Sequence, residues 1–163
     1  MKQGRNASST FLIVDAQSVK NTDTAERKGY DAGKKVSGIK RHIAVDTQGL
    51  PHAAAVTTAE VTDRKGALQA LEHGKAELRQ VQSVLADAGY VGEPFAQGVR
   101  VTVQIARRSE LHTFKVMPKR WVVERSFAWL DKNRRLWKNC ERLLSTSLQF
   151  VHLAFLAVLL RRS

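Results

Sequence analysis

The 163 residues include one cysteine, Cys140. A lone thiol excludes an internal disulfide and a cysteine-built zinc cage, and it fits a reducing cytoplasm. The opening MKQGRNASST is polar and lacks the apolar core of a signal peptide. Long hydrophobic runs are scarce. The longest, Leu148 to Leu160, contains Gln149 and His152 and falls short of the roughly twenty residues a membrane span requires. It reads as a buried helix or a helix used for self-association. Negative charge is also in short supply, with 15 Asp and Glu against 27 Lys and Arg, for a net charge of +12. That excess selects a polyanionic partner, and nucleic acid fits best because each neutralised phosphate releases counterions. Internal repeats, low-complexity tracts and inter-domain linkers are absent from the sequence.

What is present is the composition of a folded protein, 43% hydrophobic and 26% charged. The length predicts one domain over residues 1–163 with a sizeable core. The short run Phe11 to Val14 predicts a buried strand ending at Asp15, and the polar stretch Ala16 to Ile39 predicts a loop. Within that loop, GYDAGKK spaces Gly29 and Gly33 wrongly for a phosphate loop, and Lys35 stands where Ser or Thr should follow the lysine. Nucleotide binding is therefore set aside. Arg41 to Asp46 and His52 to Thr58, joined through Gly49 and Pro51, predict a hairpin. Ala67, Leu68, Ala70, Leu71 and Leu78 fall on a helical period, predicting a helix from Asp63 to about Leu78 capped by Thr62 or Asp63.

Val81 to Ala86 predicts a second strand that delivers an acid, Asp87, with Gly89 close behind. After a short irregular or helical stretch, Val99 to Ile105 predicts another strand. Beyond Pro118 the chain reads as helical, with one helix over Arg120 to Asn133 and a last one over Ser147 to Leu160. The order of elements predicts an α/β fold, a mixed sheet with helices packed on it and a helical C-terminal part.

Two carboxylates delivered by separate core strands repel each other and lose hydration, so a positive charge is expected between them. Two Mg²⁺ ions about 4 Å apart would meet that need, and Glu124 on a helix could close the site from the other side. Such a pair of ions serves in-line phosphoryl displacement without a side-chain nucleophile.

In this order, LIVDAQSVK, KRHIAVDTQGLPHAAAVTTAEVTDRKGA, LADAGYVG and RWVVERSFAWLDKNRRL resemble bacterial insertion-sequence transposases of the DDE superfamily. The resemblance covers nearly the whole chain and implies a ribonuclease H-like mixed sheet flanked by helices. It makes Asp15, Asp87 and Glu124 the catalytic and metal-ligating acids, serving two Mg²⁺ ions for which Mn²⁺ can substitute. Asp87 falls in an Asp-x-Gly-Tyr motif, and Arg120 precedes Glu124 with three residues between. Two positions depart from the family pattern: Met117 stands in place of a tyrosine and Asp131 in place of a lysine.

The implied activity is cleavage of DNA strands at insertion-sequence ends by water, followed by attack of the freed 3′-hydroxyl on target DNA. The implied partners are double-stranded DNA and a second copy of the chain assembled on it, with no membrane, in the bacterial cytoplasm at the nucleoid. The family's usual N-terminal DNA-binding region has no counterpart ahead of the first strand, which points to a region supplied from an upstream frame. A reading from another class stays open, a catalytically inactive nucleic-acid-binding domain or transposase remnant.

Arg107, Arg108, Lys115, Lys119, Arg120, Arg125, Lys132, Arg134, Arg135 and Lys138 crowd around Glu124 in sequence. Of these, Lys119, Arg120, Arg125, Lys132, Arg134 and Arg135 are the expected phosphate-binding track. Trp121, Trp129 and Trp137 recur every eight residues and are expected to pack in the core. Asp46 reads as a turn-opening aspartate and Asp63 as a helix cap. None of the five histidines is assigned chemistry.

Overall fold

The computed structural model describes residues 9–76, 78–90, 92–99, 101–106 and 119–161, with backbone alone at 93, 94, 96 and 106. Strand β1 (Phe11–Lys20) pairs antiparallel with β3 (Val36–Val45), which pairs antiparallel with β4 (Pro51–Thr58). The short β2 (Gly29–Asp31) joins the first residues of β3. On its other side β1 runs parallel to β5 (Ser83–Asp87), and β5 parallel to β6 (Thr102–Ala106). The sheet is thus mixed, with three antiparallel strands on one side of β1 and two parallel strands on the other. The helices are α1 (Asp63–His73), α2 (Glu93–Val99), α3 (Arg120–Asp131) and α4 (Leu144–Leu160).

Alternation along the strands divides the apolar residues between two faces. Ile13, Ile39, Ile43 and Val45 meet Val123, Phe127 and Leu130 of α3 and Val151 and Phe155 of α4. Leu12, Val14, Ala44 and Val84 meet Ala67 and Ala70 of α1 and Phe95 of α2. Helices cover both faces, so β3 and β4 read as nearly continuous buried runs. Helix α1 lies close on the sheet because Gly66 abuts the ring of His42, where a Cβ would collide.

The structure corrects several boundaries. Asp15 lies in the middle of β1, which continues to Lys20, and the expected loop contains the rest of β1, all of β2 and the start of β3. Those residues look loop-like because they are polar, but their side chains find partners on other strands and on α3. Ser18 donates to Asp31 at 2.7 Å, and Gln17 donates to Asp131 at 2.8 Å. Helix α1 stops at His73, where the Gly74 N–H bonds back to Ala70, and Thr62 rather than Asp63 caps its start. Helix α3 ends at Asp131, and the Asn133 side chain donates to the carbonyls of Trp129 and Leu130.

Helix α4 begins three residues earlier than expected and buries one side only, with Leu153, Leu156 and Leu160 exposed. Among the described residues no helix is long and apolar enough to cross a membrane.

Candidate active site

Ile13 of β1 stands opposite Leu85 of β5 in the parallel ladder. Two residues further along each strand come Asp15 and Asp87, so the register brings two acids level on neighbouring strands. By alternation both belong to the face of Ile13 and Leu85, which α3 covers. Asp15 is half-buried and its Oδ1 accepts the Ala16 N–H at 2.8 Å. Burial pushes its carboxyl up to about 6, and the Asp87 charge adds to the rise; the Ala16 N–H and the Arg120 and Lys34 charges oppose it. Asp87 Oδ1 accepts the Gly89 N–H at 2.8 Å. A Cβ at residue 89 would stand 3.0 Å from that oxygen, so glycine leaves the turn unhindered.

Helix α3 presents Arg120 and Glu124 one turn apart. Arg120 Nη2 lies 3.4 Å from Asp87 Oδ2, and its Nε lies 3.7 Å from Glu124 Oε1. The Glu124 side chain is 62% exposed. The structure therefore brings Asp15 and Asp87 together and links Glu124 to Asp87 through a guanidinium. Among the described residues no three His, Cys, Asp or Glu side chains gather closely enough to hold a metal ion. Tyr90, from the same motif as Asp87, is buried edge-on to Phe95, and among the described residues its hydroxyl has no hydrogen-bond partner. Burial, with the charges of Asp15, Asp63 and Asp87, holds that hydroxyl in its neutral form.

The basic residues of α3 and the segment after it differ in setting. Lys119, Lys132 and Arg134 are exposed, with the Lys119 ammonium 4.9 Å from the Phe11 ring centre. Arg125 donates to the Gln48 carbonyl at 2.7 Å and stacks between Trp121 and Trp129. Arg135 pairs with Glu141 at 2.7 Å. Core packing of the tryptophans is corrected, because Trp121 is 51% and Trp137 69% exposed. Trp121 is left at the surface as a stacking partner for Arg125. Arg107, Arg108, Lys115 and Met117 lie outside the described residues.

Other acids have structural partners. Asp46 Oδ1 accepts the N–H groups of Gln48 and Leu50, the turn expected of it. Asp63 pairs with the buried Lys40 ammonium at 2.9 Å. Asp131 stands 3.8 Å from Arg41 Nη1, and the buried Arg41 also donates to the Leu136 carbonyl at 2.6 Å. Two cations escaped the sequence reading, Arg41 beside Asp131 and Lys34 on the Ala16 carbonyl next to Asp15. Arg41 looked like an ordinary hairpin residue, and Lys34 sits in GYDAGKK, whose lysines were weighed only as part of a nucleotide loop.

The strand order and the two helical layers define an α/β fold of the ribonuclease H-like class. A solved structure shares it: a chain of the simian T-cell lymphotropic virus intasome in complex with PP2A regulatory subunit B56 gamma is similar with a TM-score of 0.56 at 16% identity. That likeness covers 95% of this chain and 51% of the viral one. The family model described as transposase DDE domain matches residues 6–160, and the chain belongs to that family. A Burkholderia cepacia protein assigned as transposase for insertion sequence element IS402 is 35% identical over 116 residues. That match takes in 64% of this chain and 54% of the relative, about half its length. A Brucella ovis protein assigned as transposase for element IS6501 is 31% identical over 131 residues, 75% of this chain and 98% of the relative.

Proposed function

We propose that this chain is the catalytic domain of a DNA transposase that cuts strands at insertion-sequence ends and joins them to target DNA, with Asp15, Asp87 and Glu124 as its working acids. The observation that carries the reading is the levelling of Asp15 with Asp87 on two parallel strands, in a basic chain of the transposase DDE domain family. The oxygen-only donor set and the raised Asp15 carboxyl fit hard divalent cations, which offset the repulsion between the two acids. Asp15 and Asp87 would hold two Mg²⁺ or Mn²⁺ ions, with Glu124 joining once released from Arg120. When bound, such ions supply Lewis acidity and an activated oxygen for in-line displacement at phosphorus.

The N–H groups of Ala16 and Gly89 pin one oxygen of each aspartate; the other oxygen of Asp15 is left for the cation, and that of Asp87 becomes available as Arg120 turns from it to the phosphate. Arg120, freed from Glu124, holds a phosphate oxygen of the scissile strand through its planar fork. Lys119, Lys132 and Arg134 bind the duplex backbone directly, and Arg125 and Arg135 add their charge from positions fixed by Gln48 and Glu141. Assembly as a homodimer on DNA and action at the nucleoid in the cytoplasm belong to the same reading.

Duplexes covering the DNA that flanks the coding sequence, incubated with Mg²⁺ or Mn²⁺, test it. The wild type should nick and join these ends, and Asp87→Asn should lose roughly a thousandfold in rate, the scale of a few kcal/mol of transition-state stabilisation. Undiminished cutting by Asp87→Asn overturns the assignment. The exposure of Glu124 and its pairing with Arg120 favour a second reading, a non-catalytic DNA-binding domain. That reading predicts binding that depends steeply on salt but is indifferent to Mg²⁺ and to Asp15→Asn, with no cut product.

A further inference from the structure

We infer that Lys34, on the GYDAGKK loop between β2 and β3, is a second phosphate-positioning residue of this site, placed on the Asp15 flank as Arg120 is on the Asp87 flank. The inference rests on the transposase reading above and adds a residue to it. Its starting point is where the ammonium sits. Lys34 Nζ donates to the Ala16 carbonyl at 3.0 Å, and the N–H of that same Ala16 donates to Asp15 Oδ1 at 2.8 Å. One residue of β1 thus ties the lysine to the acid. The Lys34 charge is felt at the Asp15 carboxyl, which it pulls downward against burial.

The loop is built to hold that position. Asp31, at its base, is buried and anchored by the Ser18 hydroxyl at 2.7 Å and by the Lys40 ammonium at 3.3 Å. Its other oxygen accepts the Lys34 N–H at 3.1 Å, so the buried carboxylate fixes the backbone that carries the lysine. Lys35 follows at φ +53°, a left-handed conformation that costs a residue with a side chain about 1 kcal/mol. An anchored base and a strained exit are more than a surface lysine needs. Lys34 is nevertheless exposed, and among the described residues one of the three donors on its ammonium is taken up.

Electrostatics supplies the reason. A phosphodiester approaching Asp15 and Asp87 meets two carboxylates of its own sign, and cations beside the acids offset that repulsion. Arg120 lies against Asp87, is shared with Glu124 and acts on Asp15 as well, and Lys34 adds a second cation on the Asp15 side. A flexible ammonium with unused donors suits non-bridging phosphate oxygens as a point charge.

The test is a salt titration of binding to a fluorescein-labelled duplex in EDTA, run alongside Mn²⁺-dependent nicking of the flanking-DNA duplexes. Lys34→Ala should reduce the slope of log K against log salt by about one, the loss of a single phosphate contact. It should also slow nicking by about tenfold, less than the roughly hundredfold or more lost with a donor aimed at the reacting oxygen, because Lys34 stands beside the acids. Lys34→Arg should restore both. A wild-type salt slope in Lys34→Ala, even with a lowered thermal midpoint, would assign the lysine to holding the loop and overturn the inference. The transposase reading fails separately, through undiminished cutting by Asp87→Asn, and that result leaves the salt slope of Lys34→Ala untouched.

Discussion

Asp31 and Asp15 sit on opposite faces of one sheet, some sixteen residues apart in sequence, and come to opposite charge balances. On the α1 face, burial would raise the Asp31 carboxyl, but the Ser18 hydroxyl, the Lys34 N–H and the Lys40 ammonium outweigh it and hold it at about 2. Lys40 in turn is held above its usual range by Asp63 and Asp31 in spite of burial, and it also donates to the Val61 carbonyl at 3.0 Å. On the α3 face Asp15 has, among the described residues, one backbone N–H and no ammonium in direct contact, and its carboxyl rises to about 6. The first cluster is saturated and closed. The second is left short of positive charge, as the proposed cation site requires.

Removing the cation from the closed cluster is the severest way to break this contrast. Lys40→Met strands two carboxylates beside a buried apolar chain and should cost about 3–5 kcal/mol, read by urea denaturation. A loss below about 1 kcal/mol would mean the cluster is wetter than its burial suggests.

Next comes pH, through a neighbour of the same cluster. His42 is fully buried, shares a hydrogen bond with Thr57 at 2.9 Å, and is pushed down to about 4 by burial, with Asp63 opposing and the Lys40 and Lys34 charges adding to the fall. Its folded value lies below its unfolded one, so its contribution is complete above about pH 6.5. It is lost as pH falls toward about 4, at up to about 1.4 kcal/mol per unit. His42→Gln should flatten that dependence, and parallel stability curves for the two proteins would show that the ring takes up its proton without cost.

Much of this architecture was legible in the sequence because it follows apolar runs. Phe11 to Val14, the hairpin halves and the run ending at Asp87 all appear as strands, although Asp15 falls in the middle of its strand and not at its end. What was hidden depends on partners distant in the chain. The second half of β1 reads as loop because Gln17 and Ser18 are polar, yet Gln17 is matched by Asp131, 114 residues away. Asp131 itself looked like a departure from a family pattern, and the structure gives it a local reason in the buried Arg41. The tryptophans looked like core by residue type, but two of the three are more than half exposed. Lys34 was hidden because a loop's path between strands cannot be read from spacing, although a lysine pair following an aspartate that a neighbouring strand can anchor was a usable signal.

The smallest expected effect is the sharpest test of the contrast. Asp15→Asn removes a charge that burial and Asp87 both disfavour, so in EDTA it should leave stability unchanged or raise it by about 1 kcal/mol or less. A group held for folding behaves in the opposite way, as Lys40 should. Adding Mg²⁺ then separates the proteins a second time. A cation that binds the folded chain alone raises its stability by mass action, by about 2.7 kcal/mol at a hundredfold excess over the dissociation constant. The wild-type thermal midpoint should therefore climb with Mg²⁺ concentration while that of Asp15→Asn stays level. If both midpoints climb together, the cation is binding elsewhere, and the unbalanced charge at Asp15 has another cause.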